Sequence, residues 1–599
     1  MKNTIPLIKD FDALAKKLDD SVHHELAKSS MGLSPLIIAL AVTDWLMHLS
    51  VSPGKQAILS KKALELMADV LKNPSPGPQA EQGQARRSDS RFTDPAWNSW
   101  PYAQLKDIFI AQHSWWDESV EIDGMEKHHL ELVHFYIQQF MDALSPSNYP
   151  ITNPEFLNKY IQTLGQSWLK GLSNFYADAW TQSTRGINQA TGSAQKLAFE
   201  PGRDVAVTPG AVVFENHLIE LIQYEPTTKN VSREPLLIVP SCIMKYYILD
   251  LSPQNSMVKF LVDQGFTVFM ISWRNPESID RDLNFSDYLN LGVVQAIRAV
   301  QLATQCEQLH ALGYCLGGTF LAIVSAFLGH HQSSTSKGDN YQTPALIKGL
   351  PKLASTILLA AQTDFSDPGQ LGLLIDQEQL KTLREAMATT GFLSGKQMAA
   401  SFKFLNARDL IWSKNTKRYL LGEEETATDM TSWNADVTRL PEKMHSEYLD
   451  KFFLNNALST GYFEYEGRGI ALMDIKSPIL VVGTERDTVS PWKSVYKINL
   501  LTNTDTTFIL ASGGHNAGIV SEPGHPKRSY HIHHSQKGHG WLDPLSFKNL
   551  AQEHTGSWWP EMSAWLKKIS KVEVPARRIL KKQTIRQAPG RNVMVRYMD

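Results

Sequence analysis

Cysteine, long apolar runs and net charge are what this chain has little of. It holds 3 cysteines in 599 residues, at Cys242, Cys306 and Cys315. So few cysteines do not form a disulfide framework, which predicts a reducing, cytoplasmic location. The formal net charge of -2 gives no electrostatic reason to expect nucleic-acid binding. The longest apolar run, residues 33–42, is interrupted by proline and is too short for a transmembrane segment, and the N-terminus has no secretory pattern.

Changes in composition divide the chain into four predicted parts. Residues 1–71 have apolar residues at helical spacing, which fits either an ordinary packed helix pair or an amphipathic docking surface. Residues 72–94 are rich in proline and polar residues and are predicted to be a flexible linker. Residues 95–198 are helical in pattern and rich in aromatic residues, so we expect a helical N-terminal domain. Residues 199–599 alternate strand and helix patterns and are predicted to form the catalytic domain.

Short apolar runs without polar alternation predict buried parallel strands in the last part. Helical segments lie between most of them, which predicts an α/β fold with helices on both faces of a parallel sheet. The insertion at about residues 364–473 is helical and aromatic, and we expect it to form a cap over the site. The predicted strands are Pro235–Pro240, Phe266–Ile271, Leu309–Gly313, Leu353–Leu359, Ile479–Val482 and Phe508–Leu510.

One strand-to-helix turn has the pattern of a nucleophile elbow. The residues from Gly313 to Gly318 read Gly-Tyr-Cys-Leu-Gly-Gly, after an apolar run and before a small-residue helix. This matches the elbow of the α/β-hydrolase fold, with Cys315 in the place of the usual serine. Gly313, Gly317 and Gly318 provide the space that a strained turn needs. The alternative is a plain βα turn that contains a buried cysteine.

The partners of a cysteine nucleophile follow later in the chain, in the order that this fold requires. Asp487 comes shortly after the strand Ile479–Val482 and is the predicted orienting acid, with Glu485 as its rival. His515 follows the strand Phe508–Leu510 and is the predicted general base. Three matches in the correct order are far more specific than any one of them.

The backbone N–H of Leu316, directly after the nucleophile, is one predicted donor of the oxyanion hole. Ile243 or Cys242, after the strand Pro235–Pro240, is the predicted second donor. Cys242 is alternatively a second reactive thiol, although no histidine adjoins it, and Cys306 is predicted to be inert core. A thiolate exchanges readily with a thioester, so a cysteine nucleophile favours acyl transfer from a substrate such as an acyl-CoA.

Several long sequence strings carry a resemblance to a known family. The chain resembles the class I polyhydroxyalkanoate synthases, bacterial enzymes that polymerise (R)-3-hydroxyacyl-CoA into storage polyester, such as poly(3-hydroxybutyrate). The likeness runs from about residue 92 to the C-terminus and is weak over residues 1–71. The strings are Asp142 to Asn148, Val205 to Asn216, Lys245 to Leu251, Ser272 to Pro276, Gly313 to Gly318, Asn406 to Trp412, Trp433 to Thr438 and Gly556 to Pro560.

The resemblance implies roles for the predicted site residues. Cys315 would carry the growing chain as a thioester, His515 would activate the thiol and the incoming 3-hydroxyl, and Asp487 would support His515. The family works as a homodimer at the surface of polyester granules and needs no metal or other cofactor. Its expected substrate here is 3-hydroxybutyryl-CoA. The alternatives are a thioesterase or intracellular polyester depolymerase of the same fold, and a non-catalytic granule-coat protein.

Three positions depart from the family pattern. Thr488 follows Asp487 where an Asp-His pair is usual, and Asn516 follows His515 where the pattern is Gly-His-Ile. Asn406 begins an Asn-Ala-Arg-Asp string in place of Arg-Pro-Asn-Asp. We therefore expect the lining of the substrate pocket to differ from the family pattern.

Two further segments have a biased composition. Residues 524–540 hold a histidine cluster without cysteine or carboxylate, so a solvated loop is favoured over a metal site. Residues 567–596 are basic, and a solvated face is favoured there over contact with nucleic acid.

Overall fold

The computed structural model describes residues 35–72, 89–190, 198–333, 344–424, 426–538 and 540–596, with a few positions between 11 and 22. The chain forms two compact units. The first comprises Met1–Gln195 and Ala399–Thr426, and the second comprises Lys196–Met398 and Ala427–Asp599. Part of the predicted cap insertion thus belongs to the first unit. Most of the predicted linker lies outside the described residues, and the domain boundaries drawn from the sequence stay predictions.

The first unit is helical in its described part. A small apolar core forms around Trp97 and Phe109, and a second one forms around Val120 and Leu132. The buried carboxylate of Asp142 accepts hydrogen bonds from two arginines, Arg91 at 2.8 Å and Arg408 at 2.9 Å. The helices are Pro35–Ser50, Pro53–Lys72, Tyr102–Val120, Lys127–Leu144, Pro154–Gln162 and Gln166–Ala190, followed by the π-helical turns Arg408–Ser413 and Thr416–Leu420.

The first of these helices, Pro35–Ser50, is the most apolar of them. Within the described residues, no single helix has the length and hydropathy to cross a membrane. The pair Leu36–Ser50 and Pro53–Ala68 passes that test only when taken together, and it is bent by 92°.

The second unit is built on a large mixed sheet. Helices alternate with many of the strands along the chain. Buried residues of the strands and of neighbouring helices together form a large hydrophobic core. The strands are β1 Gly210–Glu215, β2 Ile219–Tyr224, β3 Asn230–Ser232, β4 Leu236–Val239, β5 Val268–Trp273, β6 Gln308–Tyr314, β7 Lys352–Leu359, β8 Phe392–Leu393, β9 Leu440–Pro441, β10 Glu464–Tyr465, β11 Arg468–Gly469, β12 Ile479–Thr484, β13 Thr506–Ala511, β14 Ser529–Ser535, β15 Gln552–Thr555, β16 Glu573–Pro575 and β17 Arg586–Gln587.

The strand order places the predicted site at one edge of this sheet. The order is β15-β14-β13-β12-β7-β6-β4-β5-β2-β1-β17. The strands from β13 to β5 in that order run parallel, and β2, β1 and β14 pair antiparallel at the two flanks. The carboxyl ends of β6, β12 and β13 therefore lie on the same edge, which is where this fold assembles its site.

All six predicted parallel strands are present, as β4, β5, β6, β7, β12 and β13. The prediction for residues 524–540 was wrong in part, because Ser529–Ser535 forms β14 beside β13. Nδ1 of His534 in that strand forms a hydrogen bond with the Thr507 hydroxyl on β13 at 2.8 Å, so this histidine helps join the two strands. No group of three or more histidine, cysteine or acidic side chains able to hold a metal occurs among the residues that the structure describes.

Helices of the second unit flank the sheet and build part of the insertion between β7 and β12. They are Met257–Asp263, Phe285–Asp287, Gln295–Thr304, Leu316–Ser333, Gln377–Thr390, Asp429–Asn434, Glu442–Tyr448, Trp492–Tyr496, Ile498–Leu501, Pro544–Leu550 and Trp559–Ile569, with Gly395–Leu405 shared between the two units.

The basic segment near the C-terminus closes one edge of the sheet. Strand β17 pairs antiparallel with β1, with Ala211 opposite Gln587. Arg586 forms an ion pair with the buried carboxylate of Glu220, which also accepts the backbone N–H of Asn592 at 2.8 Å. Part of the segment is thus built into the sheet, while the basic side chains of Arg578, Lys581 and Lys582 are exposed, as a solvated face requires.

Candidate active site

The nucleophile elbow is formed as the sequence predicts. Strand β6 ends at Tyr314, the helix Leu316–Ser333 follows, and Cys315 lies between them. Its φ of 52° is in the left-handed region that residues other than glycine seldom adopt. The backbone N–H of Cys315 donates to the carbonyl of Leu359 on β7 over 2.9 Å, which helps hold the strained turn.

The flanking glycines are needed because the chain approaches itself closely. A Cβ on Gly313 would lie 2.4 Å from Cα of Gly318. One on Gly317 would lie 2.3 Å from the carbonyl oxygen of Val239, at the end of β4. These neighbours are backbone atoms, which cannot move aside as a flexible side chain can. Larger residues at these positions would therefore disrupt the elbow.

The predicted acid and base meet at the same edge of the sheet. Nδ1 of His515 donates to Oδ2 of Asp487 over 2.8 Å, and Thr484 donates its hydroxyl to the same oxygen over 2.9 Å. The other carboxylate oxygen accepts the backbone N–H groups of Val489 at 2.9 Å and Ser490 at 2.8 Å. Asp487 is thus held by four donors, and it fixes the orientation of the imidazole.

Electrostatics favour a charged histidine beside the cysteine. Burial by itself disfavours the imidazolium, but the negative charges of Asp487 and Cys315, with hydrogen bonds to both, raise the pKa of His515 well above its usual value. Burial likewise opposes the charge of Asp487, but interaction with His515 and hydrogen bonds lower the pKa of that carboxyl below its ordinary value. The surroundings of His515 therefore favour its protonated form, which can give a proton to a leaving group.

The rival groups lie in different surroundings. Glu485 is exposed and forms an ion pair with Lys548 at 2.6 Å, so it points away from this hydrogen-bond set. Cys306 is buried just before β6 begins, at the strand's other end, and burial raises the pKa of its thiol. Cys242 is buried too, and burial together with the charge of Cys315 raises the pKa of the Cys242 thiol well above its usual value. A protonated thiol is a poor nucleophile, which argues against Cys242 as a second reactive group.

The two predicted oxyanion donors differ in whether their backbone N–H groups already have an acceptor. Leu316 is the first residue of the helix after the nucleophile, where backbone N–H groups lack an acceptor within the helix. The N–H of Ile243 donates to the hydroxyl of Ser241 over 3.2 Å, so an oxyanion would have to compete for it. The oxyanion hole therefore stays a prediction, as does the choice between Ile243 and Cys242.

The loop that carries Ile243 is fastened by residues that sequence reasoning did not assign a role. Thr438 donates its hydroxyl to the carbonyl of Cys242 over 2.7 Å and its N–H to that of Ile243 over 3.2 Å. Trp433 donates its indole N–H to the carbonyl of Lys245 over 2.7 Å. Both belong to the string Trp433 to Thr438, which was a visible signal, but no spacing rule predicts which loop it contacts.

Aromatic side chains of the insertion lie close to the site. Tyr448 packs against Phe452 at 5.7 Å and Phe453 at 5.3 Å between ring centroids. Burial, with smaller contributions from the charges of Cys315 and Cys242, raises the pKa of the Tyr448 phenol well above its usual value. Tyr448 is therefore part of a buried aromatic cluster of the insertion and is close enough to Cys315 for the charge of that cysteine to act on it.

Strand order and the elbow together define a protein of the α/β-hydrolase fold, and the family model for that fold matches residues 235–522. Two further family models match the chain: "Poly-beta-hydroxybutyrate polymerase (PhaC) N-terminus" over residues 88–261 and "Poly-beta-hydroxybutyrate polymerase N terminal" over residues 13–55.

Curated relatives cover most of the chain. A poly(3-hydroxyalkanoate) polymerase of Methylorubrum extorquens is 37% identical over 492 residues, which covers 82% of this chain and 78% of that protein. A poly(3-hydroxyalkanoate) polymerase subunit of Rhizobium meliloti (strain 1021) is 34% identical over 515 residues, which covers 85% of this chain and 80% of that protein. The chain belongs to the poly(3-hydroxyalkanoate) polymerase family. Among solved structures, a monoacylglycerol lipase of Paleococcus ferrophilus covers 59% of this chain and 99% of its own, at 11% identity and a TM-score of 0.30.

Proposed function

We propose that this protein is an acyltransferase that polymerises (R)-3-hydroxyacyl-CoA, with 3-hydroxybutyryl-CoA as the expected monomer, and releases CoA. The observation that carries this is Cys315 on a strained elbow, with the His515–Asp487 pair at the same sheet edge, in a chain of the polymerase family. The family supplies the substrate class, and the site supplies the chemistry.

The first step loads the enzyme. The Cys315 thiolate attacks the carbonyl carbon of the substrate thioester, and the carbonyl oxygen becomes an oxyanion that faces the N–H of Leu316. When the carbonyl re-forms, the bond to the CoA sulfur breaks. Protonated His515 gives its proton to that sulfur, so CoA leaves as a thiol and the hydroxyacyl group stays on Cys315 as a thioester.

The second step extends the chain. His515, now neutral, accepts the proton of the 3-hydroxyl of an incoming hydroxyacyl-CoA, and the oxygen attacks the thioester carbon on Cys315. An ester bond forms, the Cys315–acyl bond breaks, and the pair returns to its starting charge. Cys315 then attacks the CoA thioester of the lengthened chain and releases one CoA for each unit added. Asp487 stays ionised and orients His515 throughout.

Exclusion of water separates this chemistry from hydrolysis. Water attacking the same thioester would give a free 3-hydroxy acid and no polymer. The buried aromatic cluster of Tyr448 and Phe452 supports this exclusion, since Tyr448 is close enough to Cys315 to be affected by its charge.

The direct test is to supply purified protein with 3-hydroxybutyryl-CoA and to follow both CoA release and polymer. We expect both from the wild type and neither from Cys315→Ala. Cys306→Ala is the matched control, because it removes a buried cysteine at the other end of β6 and should leave turnover intact. Free 3-hydroxybutyrate as the sole product, or normal turnover in Cys315→Ala, would contradict the proposal.

The finer proposals concern location and assembly: a cytoplasmic homodimer at the polyester granule surface. Helix Pro35–Ser50 supports a surface role, since Leu36, Leu40 and Met47 are each about 60% exposed. Triple substitution of these residues by serine should release a fluorescent fusion from granules in cells while purified enzyme keeps its turnover. Sedimentation of the purified protein tests the dimer, and a monomer at working concentration would contradict it.

A further inference from the structure

One hydrogen bond joins the residue before the nucleophile to the residue after the base. Tyr314, the last residue of β6, donates its phenolic O–H to Oδ1 of Asn516 over 2.7 Å. The Tyr314 side chain is buried, and its ring centroid lies 5.7 Å from that of His515, with the ring planes inclined by 35°. The phenol therefore packs beside the imidazole while its oxygen holds the neighbouring residue.

The rest of the histidine loop is held by other means. Trp558 donates its indole N–H to the carbonyl of Gly518 over 2.9 Å, and Trp559 donates to the carbonyl of Ile519 over 3.0 Å. Both bonds act three or four residues beyond His515. Apart from the bond between Asp487 and His515 itself, the described side-chain hydrogen bonds nearest the base are those made at Asn516, and the one from Tyr314 is the shorter of them.

We propose that Tyr314 and Asn516 are positioning residues that hold the His515 ring in register with Cys315. This inference rests on the proposed roles of Cys315 and His515. Tyr314 is covalently next to the nucleophile and Asn516 is covalently next to the base. One hydrogen bond therefore ties the end of β6 to the loop that carries His515. A displacement of about 1 Å in such a pair lowers turnover by roughly 10²-fold.

The chemistry of the two side chains fits this role. Burial, with smaller contributions from the charges of Cys315 and Asp487, raises the pKa of the Tyr314 phenol well above its usual value, so it remains a donor at working pH. Loss of the acceptor would leave a buried hydroxyl without a partner. Asn516 is a departure from the Gly-His-Ile pattern, and an isoleucine at this position has no atom that accepts the bond.

The link continues into the insertion. Nδ2 of Asn516 donates to Oδ1 of Asn434 over 3.5 Å, a longer contact, at the end of helix Asp429–Asn434. The adjacent Trp433 and Thr438 hold the loop of Cys242, as described above. The segment 433–438 thus contacts both the loop of Cys242 and the loop of His515.

The test compares Tyr314→Phe, Asn516→Ile and the double variant with the wild type. We measure kcat and KM, and we follow alkylation of Cys315 by iodoacetamide against pH by mass spectrometry. Each single variant should lower kcat by about 10-fold with KM unchanged, and its alkylation profile should move to higher pH, because a misplaced imidazolium no longer stabilises the thiolate. The double variant should be no worse than the poorer single one, since both break the same bond.

Tyr465→Phe is the matched control. Tyr465 also donates its phenolic O–H to an asparagine, Asn290, but it lies outside the site. That variant should keep the wild-type kcat and alkylation profile. Unchanged kcat and alkylation in both single variants, or additive losses in the double one, would overturn the proposal.

The proposal can still be tested if one variant does not fold or if the wild type makes no polymer. If Tyr314→Phe fails to fold, Asn516→Ile decides alone, because Asn516 is only partly buried and its replacement leaves the core intact. If the wild type makes no polymer, the proposed function fails, whereas the alkylation profile still tests the link, because it needs no substrate.

Discussion

Two histidines at the two ends of strand β6 show opposite behaviour. His515 faces the carboxyl end, where Asp487 is its partner at 2.8 Å. His310 lies near the amino end, where its two ring nitrogens pair with the hydroxyls of Ser355 and Ser570, each at 2.7 Å. The pKa of His515 is raised well above its usual value, whereas burial lowers that of His310 to about 4.

The difference lies in the partners and not in the burial. Removal from water disfavours an imidazolium at both positions. At His515 the directly bonded Asp487 reverses the sign, whereas at His310 the charge of Glu234, which is bonded to Ser570 at 2.8 Å, opposes burial without overcoming it. The hydroxyls at His310 satisfy its nitrogens but do not stabilise a positive charge, so that ring remains neutral and structural. His515, at the carboxyl end of β6, is thus suited to proton transfer, whereas His310, near the amino end, is suited to packing.

The largest expected effect comes from making the catalytic end resemble the structural one. Asp487→Asn should lower kcat by about 10³- to 10⁴-fold, because the neutral amide no longer stabilises the imidazolium. The pKa of His515, followed by NMR, should fall in the same variant. Glu485→Gln removes the neighbouring exposed carboxylate and should leave both quantities unchanged. A variant Asp487→Asn that keeps about a tenth or more of wild-type turnover would show that the partner does not matter.

A second change affects only the elbow. Gly317→Ala places a Cβ against the backbone of Val239, so we expect a loss of about 3 kcal/mol or more in unfolding free energy, together with loss of turnover. Urea denaturation and CoA release measure the two effects. Gly540→Ala is the matched control, because a Cβ at Gly540 meets nothing within 4 Å. Equal stability of the two variants would contradict the close approach at Gly317.

The third prediction uses pH at the structural end. The unfolded chain binds a proton at His310 near its ordinary pKa of about 6.5, but the folded protein does so only near pH 4. The depressed folded pKa means that stability falls as pH drops between those values, by about 2–3 kcal/mol from this residue. His310→Gln should lose less stability than the wild type between pH 7 and pH 4.5 in urea titrations. If the variant and the wild type lose equal stability over this range, protonation of a group other than His310 causes the loss.

The smallest effect should follow from one hydroxyl. Ser355→Ala removes a partner of His310 and should lower the free energy of unfolding by about 1 kcal/mol, with turnover unchanged. Thermal denaturation and CoA release provide the comparison. A clear loss of turnover would mean that the two ends of β6 are not independent.

The sequence was sufficient where a feature depends on local pattern. Apolar runs without alternation marked the six parallel strands, and the Gly-x-Cys-x-Gly spacing marked the elbow, because strand burial and a tight turn both constrain adjacent residues. Chain order also placed Asp487 and His515 after strands that end at the same edge. Those predictions concern position. The structure confirms the positions of the strands, while the roles assigned to the elbow residues, Asp487 and His515 stay predictions.

Features that depend on contacts between distant segments were missed. The composition of residues 524–540 predicts a loop, and only the pairing of β14 with β13 makes Ser529–Ser535 a strand. The bond from Tyr314 to Asn516 spans 202 positions, and no local pattern selects one tyrosine for one asparagine at that distance. Asn516 was visible only as a departure from the family pattern, without a partner to explain it.

The closure of the sheet by β17 also bears on how the protein stays monodisperse while it folds. Strand β1 has one neighbour close in sequence, β2, while the residues of β17 that cover its other side come more than 370 positions later. Until that segment docks, β1 presents an open row of N–H and C=O groups to any other strand in reach. The ion pair of Arg586 with Glu220 then helps hold β17 against β1. Charge reversal at Arg586 would therefore show itself first as aggregation during refolding, before any change in catalysis.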